Sequence, residues 1–251
     1  MSAAERADRT HGADELCMAA FEKAGAPETG CALVAVGGYG RSELAPYSDL
    51  DVVLVHDEGV DPGEAAEQLW YPLWDSGKKL DHSVRTLPEM LTAAASDPRV
   101  GLGLLDIRHL AGDPNLTLRL RTNVLNQWRR TAREQLPAVR RLVVSRHDLL
   151  GELAHASVPD LKEGQGGLRD ATVLKALVAT WLVDVPHGEL ERCRRQLLDV
   201  RDVLHGLAGR ASDRVGPEMW ADLADGLGLE DAAAAQRQVR ELGRRINHLS
   251  R

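Results

Sequence analysis

Three stretches of the chain have the apolar patterning of strands. CALVAV (31–36) is a short valine-rich run that ends at a pair of glycines, which is typical of a buried strand. SDLDVVLV (48–55) is apolar on both faces except for its two aspartates, and KKLDHSVRT (78–86) predicts a third strand. These stretches predict a small sheet within the first half of the chain.

Helix signals lie between and around these strands. Asp61-Pro62-Gly63-Glu64 predicts a helix start, with apolar positions at helical spacing as far as Gly77. Thr86 and Glu89 have the spacing of a capping box, while residues 1–14 are polar and are predicted to be frayed. The tryptophans are expected to pack in the core and not to stack on a base: Trp70, Trp74, Trp128, Trp181 and Trp220.

From about residue 114 the pattern becomes almost wholly helical. Apolar residues step by three and four along 190–207 and again along 232–249, which predicts core-facing helices. The predicted fold class is therefore α/β (α+β) with a short mixed sheet, followed by an all-α helical domain. We place the two domains at 1–113 and 114–251.

Composition and charge narrow the possible partners. The 251 residues carry 31 basic and 38 acidic side chains, a net charge of −7, which argues against a nucleic-acid coat. No apolar run approaches the roughly 20 residues that a membrane span needs. Three widely spaced cysteines predict neither a disulfide framework nor a zinc site. We expect a cytoplasmic protein without nucleic-acid or membrane partners.

Asp49 and Asp51 are the first candidates for chemistry. Side chains at i and i+2 of a strand share one face, so the two carboxylates are expected side by side in an otherwise apolar strand. Burying paired anions is costly, and a divalent cation such as Mg²⁺ removes that cost. For an isolated Asp-x-Asp, however, an exposed strand edge or a pair of surface salt bridges is the better interpretation.

The residues before this pair make the metal interpretation stronger. Gly37-Gly38 follows the first strand directly and precedes a short helical turn containing Arg41, which suits the close approach of a phosphate. A strand, a glycine pair, a short helix and a strand with Asp-x-Asp together resemble the DNA polymerase β-like nucleotidyltransferase superfamily. A third carboxylate is expected on a neighbouring strand, and Asp81 is the candidate, although a surface position explains Asp81 nearly as well.

Longer segments resemble a narrower family. VAVGGYGRSELAPYSDLDVVLV (34–55) looks like the opening motif of the PII uridylyltransferase/uridylyl-removing family, and DHSVRT (81–86) is similar to its third-strand segment. PDLKEGQGGLRD (159–170) resembles the family's LKEGPGGLRD stretch, with Gln165 in place of the usual proline. Read without the resemblance, 162–170 is a basic, flexible loop, and Asp170 is a candidate cap for the next helix.

The resemblance implies a reaction and a set of residues. It implies Mg²⁺-dependent transfer of UMP or AMP from UTP or ATP to a tyrosine of a PII-type signalling protein, with release of pyrophosphate. Two metal ions are expected on Asp49, Asp51 and Asp81, which are also the predicted catalytic residues. The predicted nucleotide-binding residues are Gly37, Gly38, Arg41, Ser48 and Lys162.

Three alternatives stay open from the sequence. The chain could be a catalytically silent module that binds a nucleotide or a partner, or a nucleotidyltransferase with a different acceptor. UTP and ATP are not distinguished by these residues. Family members also carry an HD hydrolase domain and glutamine-sensing ACT domains, but His147-Asp148 lies in a predicted helical stretch without the surrounding histidines that such a metal site needs. De-uridylylation and glutamine sensing are therefore not expected of this chain.

Overall fold

A computed structural model of the chain describes residues 3–250. It divides into two compact units. The α/β unit spans Arg6–Thr131, and the helical unit contains the chain from Ala132 onward together with the residues before Arg6. The division lies inside a long helix, Pro114–Leu150, whose first residue follows the predicted domain boundary. That boundary, between residues 113 and 114, stays a prediction.

The α/β unit is built on a mixed sheet of four strands within the described residues. In chain order these are β1 (Cys31–Ala35), β2 (Leu50–His56), β3 (Leu80–Thr86) and β4 (Arg108–Gly112). Their order across the sheet is β3-β2-β1-β4. β1 is antiparallel to both β2 and β4, while β2 and β3 are parallel. The prediction of a short mixed sheet is confirmed, and its assignment to a nucleotidyltransferase domain stays a prediction.

Helices cover both faces of this sheet. Their bounds are α1 (Ala3–Ala24), α2 (Gly37–Gly40), α3 (Gly63–Gln68), α4 (Trp70–Asp75), α5 (Leu87–Ser96), α6 (Pro98–Leu104) and the start of α7 (Pro114–Leu150). Leu33, Leu50 and Leu54 pack on one face against α1 and α4, whereas Val53 and Val55 pack on the other face with α5 and α7. Alternate residues of β2 therefore enter different cores, as its two-faced apolar pattern predicts.

The helical unit has one core made almost entirely by helices. Besides the end of α7, its helices are α8 (Leu168–Ala179), α9 (His187–Ala208), α10 (Trp220–Leu227), preceded by a 3-10 turn at Pro217–Met219, and α11 (Ala232–Leu249). The predicted stripes along 190–207 and 232–249 supply most of the core through residues such as Leu197, Leu204, Val239 and Ile246. Those two helix predictions are confirmed.

Residues 1–14 were predicted to be frayed, and this was wrong from Ala3 onward, while residues 1–2 lie outside the described residues. Helix α1 begins at Ala3, and its buried face includes Arg6, Thr10, Ala13 and Cys17. These residues recur at helical spacing, but two of them are polar, so an apolar stripe is not visible in the sequence. Tertiary burial of polar side chains therefore outweighs the weak local pattern.

Other local predictions had mixed outcomes. The capping box is confirmed, because Thr86 Oγ1 accepts from the Glu89 N–H and the Glu89 carboxylate accepts from the Thr86 N–H. The single helix predicted from Asp61 to Gly77 is instead split into α3 and α4. β4 was missed, since RHLAG is short and half polar, as an edge strand permits.

The prediction that every tryptophan packs in the core is wrong for two of them. Trp70, Trp128 and Trp220 are buried, but Trp74 is 47% exposed and Trp181 is 77% exposed. The Trp74 ring lies against His82, with ring centroids 5.4 Å apart. Trp181 follows the end of α8 with a positive φ of 65°.

A buried ion pair in the helical unit links its stability to pH. Burial alone would raise the pKa of the Asp213 carboxyl, but the hydrogen bond from His205 and the charges of Arg201 and Lys162 lower it well below its ordinary value. The Arg201 Nε donates to Asp213 Oδ1 at 2.6 Å. A carboxyl whose pKa is depressed by folding stabilises the protein fully above its unfolded-state pKa, near 4, and loses that contribution as pH falls.

We therefore expect Asp213→Asn to lower the free energy of unfolding at pH 7 and to flatten its decline below about pH 4. Urea denaturation of wild type and variant at pH 7 and pH 3, followed by circular dichroism, measures both effects. Asp225→Asn is the matched control, because Asp225 is exposed on α10. If wild type and Asp213→Asn lost equal free energies of unfolding between pH 7 and pH 3, the role of Asp213 would be contradicted.

Candidate active site

One end of the sheet brings together two features. They are the glycine turn, which is α2 (Gly37–Gly40), and the acidic edge, which is formed by Asp49, Asp51 and Asp81. β1 ends at Ala35, two residues before Gly37, while the antiparallel β2 begins beside that end. β3 runs parallel to β2 and therefore begins at the same end. Residues that are far apart in the chain thus meet here because of the strand directions alone.

Asp49 and Asp51 lie on either side of the first residue of β2. Asp49 directly precedes the strand and is exposed, Leu50 is buried, and Asp51 is half-buried within the strand. This alternation places the two acidic residues on the face opposite Leu50, as the i, i+2 spacing predicts. Asp51 shares its face of β2 with Val53.

Asp81 is the residue of β3 that pairs with Asp51. Their Cα atoms are partners in the parallel register, so their side chains leave the sheet on the same face. Leu80 packs towards the opposite face and Asp81 is exposed, which agrees with this orientation. The structure therefore brings Asp81 beside Asp51, although the carboxylates are 30 residues apart in the sequence.

The glycine turn lies against the acidic edge at Gly37. Gly37 has a positive φ of 57°, and a Cβ built on it would stand 3.3 Å from Asp51 Oδ2. The Val36 N–H also donates to the carbonyl oxygen of Asp51 at 3.0 Å. A side chain at position 37 would therefore be strained and would crowd the carboxylate, which is the physical reason for a glycine there.

Arg41 and Ser48 contact protein groups around the turn. Arg41 pairs with Asp106 at 2.6 Å and with Glu43 at 2.7 Å, and its side chain is 14% exposed. Ser48 Oγ accepts from the Ala45 N–H at 3.0 Å, which closes the bend that leads into β2. Both residues therefore shape the segment between β1 and β2, and their contact with a nucleotide stays a prediction.

Lys162 lies in the helical unit, at the start of the segment that resembles the second family signature. Its backbone N–H donates to Asp160 Oδ1 at 3.0 Å, and its charge contributes to the low pKa of Asp213. Gln165, which stands where the resemblance has proline, donates to Asn247 Oδ1 at 3.0 Å. A nucleotide-binding role for Lys162 stays a prediction.

The segment 162–170 was expected to be a flexible loop, but it is tightly folded. A Cβ on Gly166 would collide with the carbonyl oxygen of Gly243 in α11, and a Cβ on Gly167 would stand 2.8 Å from two carbonyl oxygens. Gly167, and not Asp170, is the N-cap of α8. Asp170 is 4% exposed and accepts the Gly166 N–H at 2.7 Å. The glycines here allow the backbone to pack closely against neighbouring carbonyl groups.

The donor set at the acidic edge suits magnesium. Asp49, Asp51 and Asp81 offer carboxylate oxygens, which are the ligands that Mg²⁺ prefers. Within residues 3–250, no three acidic, histidine or cysteine side chains converge into a ready metal cluster. Mg²⁺ commonly keeps several waters and shares substrate phosphates, so a site of this kind needs few protein ligands. The residues present fit the predicted ion, and the metal itself stays a prediction.

A shallow open depression of about 630 Å³ lies at the other end of β3. Arg85, Thr86, Glu89 and Thr92 are among its lining residues. Thr86 is five residues from Asp81 along the strand, or roughly 17 Å. This depression is therefore separate from the acidic edge and includes none of the predicted site residues.

Sequence reasoning missed the groups that support the glycine turn. Tyr39 is fully buried, and its hydroxyl donates to Asp14 Oδ1 at 2.7 Å. Burial, together with Cys17 and Asp14, raises the pKa of this phenol far above its ordinary value, so the hydroxyl remains a donor. Arg108 binds Asp14 from β4. An aromatic residue inside a glycine turn was a visible signal, but nothing local links residues 14 and 108.

The described residues thus define a class of protein. It combines a small mixed α/β unit, whose sheet has an acidic edge beside a glycine turn, with a helical unit that contains a closely packed glycine-rich loop. The described part of the chain contains no helix that is long and apolar enough to cross a membrane.

Comparison with known proteins identifies the family. The model of the GlnD PII-uridylyltransferase family matches residues 130–251. Bifunctional uridylyltransferase/uridylyl-removing enzymes of Streptomyces coelicolor, Mycobacterium tuberculosis and Corynebacterium glutamicum are 52%, 41% and 39% identical to the chain over 230, 235 and 218 residues. The chain belongs to the PII uridylyltransferase/uridylyl-removing enzyme family, as its motifs suggested.

The chain corresponds to only part of these relatives. The alignments cover 91%, 89% and 87% of this chain, but only 28%, 29% and 31% of the three relatives, in the same order. The alignments therefore establish the family. The chain spans less than a third of the length of these relatives.

Proposed function

We propose that the chain catalyses Mg²⁺-dependent transfer of UMP or AMP from UTP or ATP to a tyrosine of a PII nitrogen-regulatory protein, with release of pyrophosphate. The observation that carries this proposal is the geometry of the acidic edge. Asp51 and Asp81 are in register on one face, and the backbone at Gly37 lies against the Asp51 carboxylate. Membership of the family supplies the acceptor and the choice of nucleotides.

The glycine turn and the acidic edge have complementary tasks in this proposal. Gly37 and Gly38 leave their backbone open to the close approach of a triphosphate, since neither carries a side chain. Asp49, Asp51 and Asp81 would hold the magnesium ions. When bound, Mg²⁺ neutralises phosphate charge and lowers the pKa of a coordinated hydroxyl. Both tasks need the turn and the carboxylates to keep a fixed separation.

The reaction is an in-line displacement at the α-phosphorus. A bond forms between the acceptor's tyrosine oxygen and phosphorus as the bond to the pyrophosphate oxygen breaks. The phenol has an ordinary pKa near 10, so its proton must be removed at neutral pH. Asp81 is exposed at the edge of the sheet, and we assign it this role as well as metal binding. The pyrophosphate leaves with both electrons of the broken bond.

The test is transfer of label. The protein is incubated with Mg²⁺, a PII-type trimer and either α-labelled UTP or α-labelled ATP, with Asp49→Asn as the control. We expect label on the trimer with one nucleotide and a loss of about a thousandfold in the variant. Which nucleotide supplies the label decides between uridylylation and adenylylation.

Two other outcomes would replace the proposal. Nucleotide binding without label on any acceptor would favour a catalytically silent regulatory module. Label that reaches a different protein or a small molecule, and not the trimer, would favour a nucleotidyltransferase with another acceptor. Equal transfer by wild type and Asp49→Asn would overturn the assignment of the acidic edge.

A further inference from the structure

The glycine turn is anchored by the one aromatic residue inside it. Tyr39 of α2 is fully buried and packs into the core between the sheet and α1. Its hydroxyl donates to Asp14 Oδ1 at 2.7 Å and lies 3.6 Å from Cys17 Sγ. The turn is thereby joined to α1 through a hydrogen bond to a carboxylate, which is among the stronger kinds of hydrogen bond.

Arg108 of β4 binds the Asp14 carboxylate and so links it to the sheet. Its Nη1 and Nη2 donate to the two oxygens of Asp14 at 2.6 and 2.9 Å, so the pairing is bidentate. The Arg108 Nη2 also donates to the carbonyl oxygen of Tyr39 at 3.2 Å, and the guanidinium lies 5.2 Å from the centre of the Tyr39 ring. Arg108 therefore contacts the turn through its backbone, its ring and the partner of its hydroxyl.

The rest of the turn has equally little freedom. A Cβ on Gly40 would collide with the carbonyl oxygen of Asp106, so the backbone of α2 lies directly on the segment before β4. Arg41 holds the Asp106 carboxylate at 2.6 Å from the same side. At the other end of the turn, Gly37 faces Asp51 Oδ2. A shift of α2 would therefore change the separation between the Gly37 backbone and the acidic edge.

We propose that Tyr39, Asp14 and Arg108 are positioning residues that set the position of the Gly37-Gly38 backbone against Asp51, and through it the affinity for the nucleoside triphosphate. The proposal rests on the proposed function, because the triphosphate is the ligand that the turn would receive. None of the three residues needs to touch the nucleotide. They act through the turn, since small misplacements of a binding element cost large factors in affinity or rate.

Tyr39→Phe isolates the anchoring hydrogen bond, because the phenyl ring keeps the packing and the contact with Arg108. We expect the dissociation constants for Mg-UTP or Mg-ATP, and the corresponding KM, to rise about tenfold, with kcat changed by less than about twofold. Asp14→Asn keeps one acceptor oxygen but loses the charge and the bidentate pairing with Arg108, so a rise of at least about tenfold is expected. Equilibrium titration with each nucleotide and steady-state kinetics measure these changes.

Thr117→Val is the matched control for a general loss of stability. Thr117 is buried in the same unit, and its hydroxyl contacts His109 Nδ1 at 2.8 Å, so the variant also removes a buried hydrogen bond. We expect it to lower the thermal midpoint about as much as Tyr39→Phe while leaving nucleotide affinity unchanged. If both variants weaken nucleotide binding equally, or if Tyr39→Phe binds as wild type does, the positioning role is overturned.

The binding measurement separates this inference from the proposed function. A wild-type protein that binds nucleotide without transferring label would contradict the proposed function, and a weaker Tyr39→Phe complex would still support the positioning role. A wild-type protein that transfers label normally, with Tyr39→Phe unchanged in KM, would contradict the positioning role alone. A wild-type protein that binds neither nucleotide would overturn both.

Discussion

Replacing Asp51 by asparagine is expected to reduce nucleotidyl transfer by about a thousandfold, or roughly 4 kcal/mol of transition-state stabilisation. Asparagine has nearly the same shape as aspartate but carries no charge, so it is a poor ligand for Mg²⁺. Asp51 links the two parts of the proposed site, because its carboxylate faces Gly37 and its backbone pairs in register with Asp81. The measurement is the initial rate of label transfer at saturating nucleotide.

The control for this experiment lies just beyond the other end of the same strand. Asp57 follows β2 and pairs with Arg119, with its side chain 37% exposed. It is six residues from Asp51, or roughly 20 Å along an extended strand. We expect Asp57→Asn to transfer label at the wild-type rate, since exposed ion pairs contribute little. Equal losses in the two variants would show that the effect arises from the fold and not from the acidic edge.

Removing the carboxylate of Asp170 is expected to be the most destabilising single change in the helical unit. Asp170 is 4% exposed and pairs with Arg146, while its oxygens lie 3.0 Å from His147 Nε2. It also accepts the Gly166 N–H. Asp170→Ala would leave the largely buried guanidinium of Arg146 without its closest counter-charge, at a cost of about 3–5 kcal/mol in the free energy of unfolding.

Urea denaturation of Asp170→Ala and Asp170→Asn measures this cost. The asparagine variant keeps an acceptor for Gly166 and is expected to lose less stability than the alanine variant. Glu241→Gln is a suitable control, because Glu241 pairs with Arg245 on the exposed side of α11 and should change little. An alanine variant as stable as wild type would show that this cluster does not hold the glycine-rich loop.

Much of the fold could be read from local patterns. The buried strands at β1 and β2, the capping box of α5 and the long apolar stripes of α9 and α11 follow from hydrophobic periodicity and capping chemistry. Such patterns are local, so they survive without knowledge of the partner elements. The same reasoning missed β4 and the first part of α1, where polar residues are stabilised by tertiary contacts.

Some residues of the candidate site could also be predicted from local patterns, and others could not. The spacing of Asp49 and Asp51 and the adjacent glycine pair are visible in the sequence, since neighbours on a strand share a face by geometry alone. Asp81 was a weaker candidate, because its place beside Asp51 depends on the parallel register of two strands. A register is a pairing between distant segments and has no local signature.

The family, the candidate acidic residues and the glycine turn could all be recognised from motifs in the sequence. The support of that turn became visible only in the folded chain, because Tyr39, Asp14 and Arg108 come from separate elements. The close packing of Gly164, Gly166 and Gly167 likewise became visible only in the folded chain. Motifs record the residue types that the chemistry needs, whereas the positions of those residues depend on contacts between segments far apart in the chain.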